Sequence, residues 1–183
     1  MRALIHFPII HSAVDLGSLS DITQTQQQAA IEHFWTLLKV TIESLDLDYA
    51  NLKLYQDGLP VCGKETEIVA EVAIKGSQNY QLLQDLQHKG ATLMGTESPE
   101  LLLAEHALMA RIQQSKKGDA DTENMARSLL KQRDAYIAQR INSTLHDNEI
   151  AILFLGLLHN IDTILPNDII LIQPLGKPPS PTT

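Results

Sequence analysis

The stretch that decides the fold is Arg133-Asp134-Ala135-Tyr136-Ile137-Ala138-Gln139-Arg140-Ile141, followed by Ile150-Ala151-Ile152-Leu153-Phe154-Leu155-Gly156-Leu157-Leu158-His159. The first part reads as a helix carrying two arginines. The second reads as a buried strand ending in a Gly-x-x-His turn. An unbroken apolar run of this length, entered from a helix and left through glycine, is the mark of a strand covered on both faces. Just beyond such a strand is where open α/β sheets place the groups that handle ligands.

Working outward from it, the same signal recurs. Ala3–Ile10 is a short apolar run, read as a first strand, and it ends at His11. His11–Ile22 is rich in Ser, Asp and Gly and reads as a long loop. Thr25–Leu45 carries Ile31, Phe34, Trp35, Leu38, Ile42 and Leu45 at three- and four-residue spacing, a helix with one apolar stripe. Asn51–Gln56 alternates as a strand does, and Asp57-Gly58 turns the chain ahead of Pro60. Two helical pieces follow, Lys64–Lys75 and Asn79–His88, broken at Gly76-Ser77 and closed by Gly90. Ala91–Gly95 is a short strand.

Ser98-Pro99-Glu100 has the cap, the first-turn proline and the acid that start a helix, which runs to about Gln113. Ser115–Asp121 reads as an exposed loop, Thr122–Leu145 as a long helix and Asp168–Ile172 as a last strand. The Pro/Ser/Thr-rich residues 176–183 read as a mobile tail to a single domain over 1–175. This alternation predicts a three-layer α/β/α sandwich with a mainly parallel sheet of about five strands. The short final link leaves open an antiparallel last strand.

Composition narrows the function. A net charge of −8 over 183 residues leaves no basic excess to neutralise phosphates, so nucleic acid and anionic membranes are not expected partners. No run approaches the roughly 18 apolar residues that span a bilayer. The N-terminal run, interrupted by His6 and Pro8, reads as a strand rather than a signal peptide. A single cysteine, Cys62, precludes an internal disulfide and fits a reducing, cytoplasmic setting. It is read as a small, partly buried side chain near a turn. The phosphate cradles G-x-G-x-x-G and G-x-x-x-x-G-K-[ST] are absent from the sequence.

A parallel sheet would bring His11, Asp57, Glu97 and His159 to one carboxyl edge, each following a strand. Two imidazoles and two carboxylates could act as general acid and base, or hold a divalent metal such as zinc or iron. The plain alternatives stand beside this. Asp57 in an Asp-Gly pair is first of all a turn former, and Glu97 ahead of a helix could serve only its amide dipoles. His33, His88, His106 and His146 fall among polar neighbours and read as surface.

Arg133 and Arg140, two turns apart, share a face. Arg133 is either an anion clamp or a salt-bridge partner, and Arg140 is expected to pair with acids such as Asp134, Asp147 or Glu149. Asp15, in Asp15-Leu16-Gly17-Ser18, would add an acid to the first loop. Gly76-Ser77-Gln78-Asn79 either aims backbone amides at a ligand or is a plain kink.

The last third resembles the TraB/ChaN/erythromycin-esterase-like group of α/β proteins through Arg133-Asp134-Ala135-Tyr136-Ile137-Ala138 and Gly156-Leu157-Leu158-His159. That group tends to carry an early strand ending in Gly-Glu-x-His, and here Pro8-Ile9-Ile10-His11 keeps only the histidine. The resemblance implies that His11 and His159 face a shared pocket. Its members include hydrolases, a proposed metalloprotease branch and haem-associated proteins, so it fixes no reaction.

Two function classes follow. In a hydrolase-type enzyme acting on a small molecule, His11 or His159 is the base on water, directly or through a metal. Glu97 or Asp57 then orients it, and Arg133 holds an anionic group. The other class is a non-catalytic small-molecule- or metal-binding protein, or a homo-oligomer assembled through Leu101-Leu102-Leu103-Ala104 and Leu157-Leu158. The first predicts a concave pocket at the sheet's carboxyl edge. The second predicts separately satisfied histidines and no cavity there.

Overall fold

The computed structural model describes residues 1–10, 25–115 and 120–176. It forms a five-stranded, all-parallel sheet with helices on both faces. The strands are β1 (Arg2–Ile9), β2 (Leu52–Gln56), β3 (Thr92–Met94), β4 (Ile150–Gly156) and β5 (Ile169–Ile172), in the order β3-β2-β4-β1-β5. Among the described residues the α-helices are α1 (Thr25–Ser44), α2 (Glu65–Ile74), α3 (Gln78–His88), α4 (Pro99–Ser115) and α5 (Ala120–Thr144). The predicted elements are therefore present with ends shifted by a few residues.

The open question of the last strand is settled the other way from an antiparallel pairing. β5 runs parallel to β1, Arg2 opposite Ile169, because residues 157–168 carry the chain past β1 to the far edge. β4 inserts between β1 and β2, with Ala3 opposite Ile150 on one side and Leu52 opposite Ile150 on the other. That places the most apolar strand at the centre, buried on both faces except at Ile150.

The period of two sorts side chains to two cores. Ile5, Phe7, Ile9, Leu54, Ile152 and Phe154 face α1, α2 and α3. Leu4, Tyr55, Ala151, Leu153 and Leu155 face α5, where Ile137 and Ile141 meet them. On α5, Arg133, Ile137 and Ile141 step by four residues along one stripe, which Leu145 continues just past the helix end. The helix runs against the strands, so this stripe begins at the carboxyl edge with Arg133 and ends at the amino edge.

There the buried Arg2 guanidinium binds the carbonyls of Asn142 and Leu145 at 2.8 and 3.0 Å. It also donates to both oxygens of Asp168. Arg140 is not paired with Asp134, Asp147 or Glu149 as expected. It donates to the Gly95 carbonyl at 3.0 Å, while Asp147 takes the N-terminal amine and Glu149 takes Lys53. Cys62 is exposed rather than partly buried.

Candidate functional site

The strand order explains which side chains meet. β3, β2 and β4 are consecutive neighbours, so Glu97, Asp57 and His159, each just past one of them, converge at the carboxyl edge. One ligand-type atom from each lies within 4.8 Å of the others, and all three residues are buried.

Asp57 does more than turn the chain. Gly58 takes the positive φ of 74°, while the Asp57 carboxylate reaches across to β4 and α5. Its Oδ2 accepts from the Gly156 amide at 2.9 Å, and its Oδ1 from Arg133 Nη2 at 2.9 Å. The Glu97 backbone is locked by Val61 and Leu59, which continue the β2–β3 pairing past the strands. Its carboxylate does not serve the α4 amides. Ser98 caps that helix, accepting from Leu101 at 3.3 Å. Glu97 accepts instead from the Gly58 amide at 2.8 Å and from Nε and Nη2 of Arg133, both at 2.6 Å.

Arg133 is the hub. Beyond this fork on Glu97 and its bond to Asp57, its Nη1 donates to Glu105 of α4. Four of its five N–H groups are thus directed at carboxylates, the forked geometry that guanidinium supports and ammonium does not. The salt-bridge reading of Arg133 describes its contacts. The carboxylates hold it charged well above its ordinary range despite burial. Glu97 moves the other way: burial raises its pKa, with the Asp57 charge adding to the rise and Arg133 opposing it.

The His159 amide donates to the Gly156 carbonyl at 3.1 Å, a tight turn just past β4. Nδ1 donates to Asp134 Oδ1 at 2.6 Å, and Nε2 lies 3.5 Å from Asp57 Oδ1. Burial favours the neutral ring. The Asp134 and Asp57 hydrogen bonds and the Asp57 charge outweigh it, and with Arg133 opposing them the pKa is pushed up to about 10. The ring is an imidazolium at neutral pH.

A pocket of about 610 Å³ opens over this network, with Asp57, Arg133 and His159 at its floor. Leu102, Met109 and Ile112 of α4, Leu130 of α5, and Leu157 and Leu158 beyond β4 supply apolar walls. A cavity at the carboxyl edge is what the enzyme reading expects and the non-catalytic reading does not. The satisfied histidine is what the second expects.

The metal set fits poorly. Asp57, Glu97 and His159 are ligands in kind. However, Arg133 already donates to Asp57 Oδ1 and both Glu97 oxygens, and His159 carries the proton a metal would replace. A cation in this place is already supplied by the chain.

His11 and Asp15 lie outside the described residues, as do residues 177–183 of the expected tail. His33, His88, His106 and His146 are all exposed, as read. In Gly76-Ser77-Gln78-Asn79, Ser77 caps α3, accepting from Tyr80 at 3.2 Å.

Three residues of the site were not singled out. Asp134 stands beside Arg133 in the opening motif, and Glu105 is an acid on the apolar stripe of α4. His6 is an imidazole inside a strand buried at every position but Ala3, and such a strand forces it into the core. Its Nδ1 accepts from Gln173 at 3.2 Å and its Nε2 has no partner among the described residues. Burial lowers its pKa, Asp162 opposes that, and the nearby His159 charge adds to it. No family model, curated protein or solved structure matches the chain.

Proposed function

We propose that the protein is a hydrolase-type enzyme acting on a small molecule held in the pocket between α4, α5 and the carboxyl edge of the sheet. The observation that carries this reading is the Asp134–His159–Asp57 series at the floor of a 610 Å³ apolar-walled pocket. Asp134 fixes the ring through Nδ1. The Nε2 contact with Asp57 is the longer of the two, 3.5 Å against 2.6 Å at Nδ1, so it is the N–H for which a bound molecule competes.

A ring held protonated at neutral pH is an acid rather than a base. His159 gives its Nε2 proton to the leaving group, or stabilises negative charge building on the reacting oxygen. Asp57 beside it orients the attacking water and takes its proton. Glu97 and Arg133 hold Asp57 in place, and with four of its N–H groups already directed at carboxylates Arg133 is assigned no anion clamp. The site is metal-independent in this reading, because an ion would have to displace Arg133. The Arg133-Asp134 and Gly156-x-x-His159 segments meet in this one site through the Asp134–His159 hydrogen bond.

One observation favours a second reading, a non-catalytic binding module: Arg133 and His159 are each met by carboxylates, as in a purely structural network. Turnover of ester, amide and phosphoester panels by wild type and His159→Gln separates the two. The enzyme reading expects a loss of about a hundredfold or more in kcat with the fold retained. Equal turnover in the variant removes His159 from the chemistry. Ligand-induced stabilisation without any turnover leaves the binding module.

A further inference from the structure

We infer that the molecule taken by this pocket carries an ammonium group on an apolar body, with the ammonium seated on Glu105 of α4. The inference rests on the pocket being a ligand site, as proposed above, and adds the class of ligand.

Charge is the first argument. At the pocket and directly behind it, the carboxyl groups of Asp57, Glu105, Glu97 and Asp134 outnumber the two cations, Arg133 and His159. The network therefore presents a negative excess in a site walled by hydrocarbon, where charge is weakly screened.

Access is the second argument. The side chains of Arg133, Asp57, Glu97 and His159 are 6, 6, 1 and 3% exposed, whereas Glu105 is 33% exposed. An incoming group therefore meets a carboxylate before it meets either cation.

Donor supply is the third. Arg133 directs four of its five N–H groups inward, and the Gly58 and Gly156 amides are taken by Glu97 and Asp57. Glu105 uses Oε1 for Arg133, and its Oε2 accepts no hydrogen bond among the described residues. The site offers a charged acceptor that lacks a donor, and an ammonium brings three. A carboxylate ligand would instead meet Glu105 and Asp57 as like charges.

The rest of the ligand is set by Leu102, Met109, Leu130 and the ring of Tyr80, which can bury an alkyl or aromatic body but give it no hydrogen bonds to its carbon atoms. An ammonium on Glu105 leaves His159 Nε2 facing the remainder of the molecule, where the proposed reaction takes place.

Calorimetry and thermal shift on the full chain with octylamine, octanol and octanoate test this. Octylamine is expected to bind about tenfold or more tighter than octanoate. Glu105→Gln is expected to remove that preference while octanol binds as before. Octanoate binding as tightly as octylamine, or a preference that survives in Glu105→Gln, overturns the ammonium assignment. Binding of octanol or octanoate without octylamine does the same and leaves the pocket reading standing. Failure of all three probes removes the pocket reading together with this one.

Discussion

At the scale of single residues, the electrostatics of the candidate site turn on how one histidine and one arginine are surrounded. His159 is pressed between Asp134 of α5 and Asp57 beyond β2, with Arg133 and His6 as the opposing neighbours. Its folded pKa of about 10 lies above the ordinary value near 6.5, so between those values the folded chain holds a proton that the unfolded chain has released. The stability this contributes is complete below about pH 6.5 and is lost as pH rises through about 10, with a slope of at most about 1.4 kcal/mol per pH unit. Urea unfolding from pH 7 to 10 is expected to show this loss in wild type and a flatter profile in His159→Gln. An unchanged slope in the variant means His159 is not the group responsible. His6, lowered rather than raised, contributes with the opposite sign on the acid side. Of these residues, Asp57, Glu97, His159 and Arg133 were legible because each stands at a strand end or in a helix-strand motif. Asp134 and Glu105 were not. Their burial depends on which helix face meets which strand end, and that is a property of the packing rather than of local spacing.

At the scale of elements, the site depends on β3 and the segment after β2 staying in register beyond their ends. Val61 donates to the Glu97 carbonyl at 2.8 Å, and Thr96 and Glu97 donate to Leu59 at 2.9 and 3.0 Å. Gly95 permits this close approach. A Cβ there would stand 2.8 Å from Val61 Cα and 2.9 Å from the Pro60 carbonyl, backbone atoms that have no way to rotate aside. Gly95→Ala is therefore expected to cost about 1–3 kcal/mol in urea unfolding and to weaken ligand binding through displaced Glu97. Loss of stability with untouched binding would mean the strain is absorbed away from the site. The elements themselves were readable because both periods are strong: the stripe from Ile31 to Leu45 for a helix, and Ile150–Leu155 for a strand covered on both faces. The direction of the last strand was not readable. Residues 157–168 are short enough for either a turn back or a crossing, and only the position of β1 between β4 and β5 decides.

At the scale of the whole molecule, α5 is fastened to the sheet by one arginine at each end of its inward stripe. Arg133 ties its start to the ends of β2 and β3, and to α4. Arg2 of β1 ties its finish, through the Asn142 and Leu145 carbonyls, to Asp168 before β5. The two anchors differ in kind. Arg133 neutralises Glu97 and Asp57 where both are buried, so Arg133→Met leaves Glu97 without a cation and Asp57 with His159 alone, and is expected to cost about 3–5 kcal/mol. Arg2 serves two helix-end carbonyls and a carboxylate that is 60% exposed, and water can replace much of what it gives. Arg2→Met is expected to cost less, about 1–3 kcal/mol. The anchors share no partner. Asn142 lies nine positions beyond Arg133 along the helix, roughly 14 Å. The double variant is therefore expected to lose the sum of the single losses to within about 0.5 kcal/mol, measured as unfolding free energy at one pH. A double loss well below the sum would mean that α5 comes off the sheet as a unit once either end is cut. The fold would then rest on the helix being held at both ends rather than on the Ile137 and Ile141 core between them.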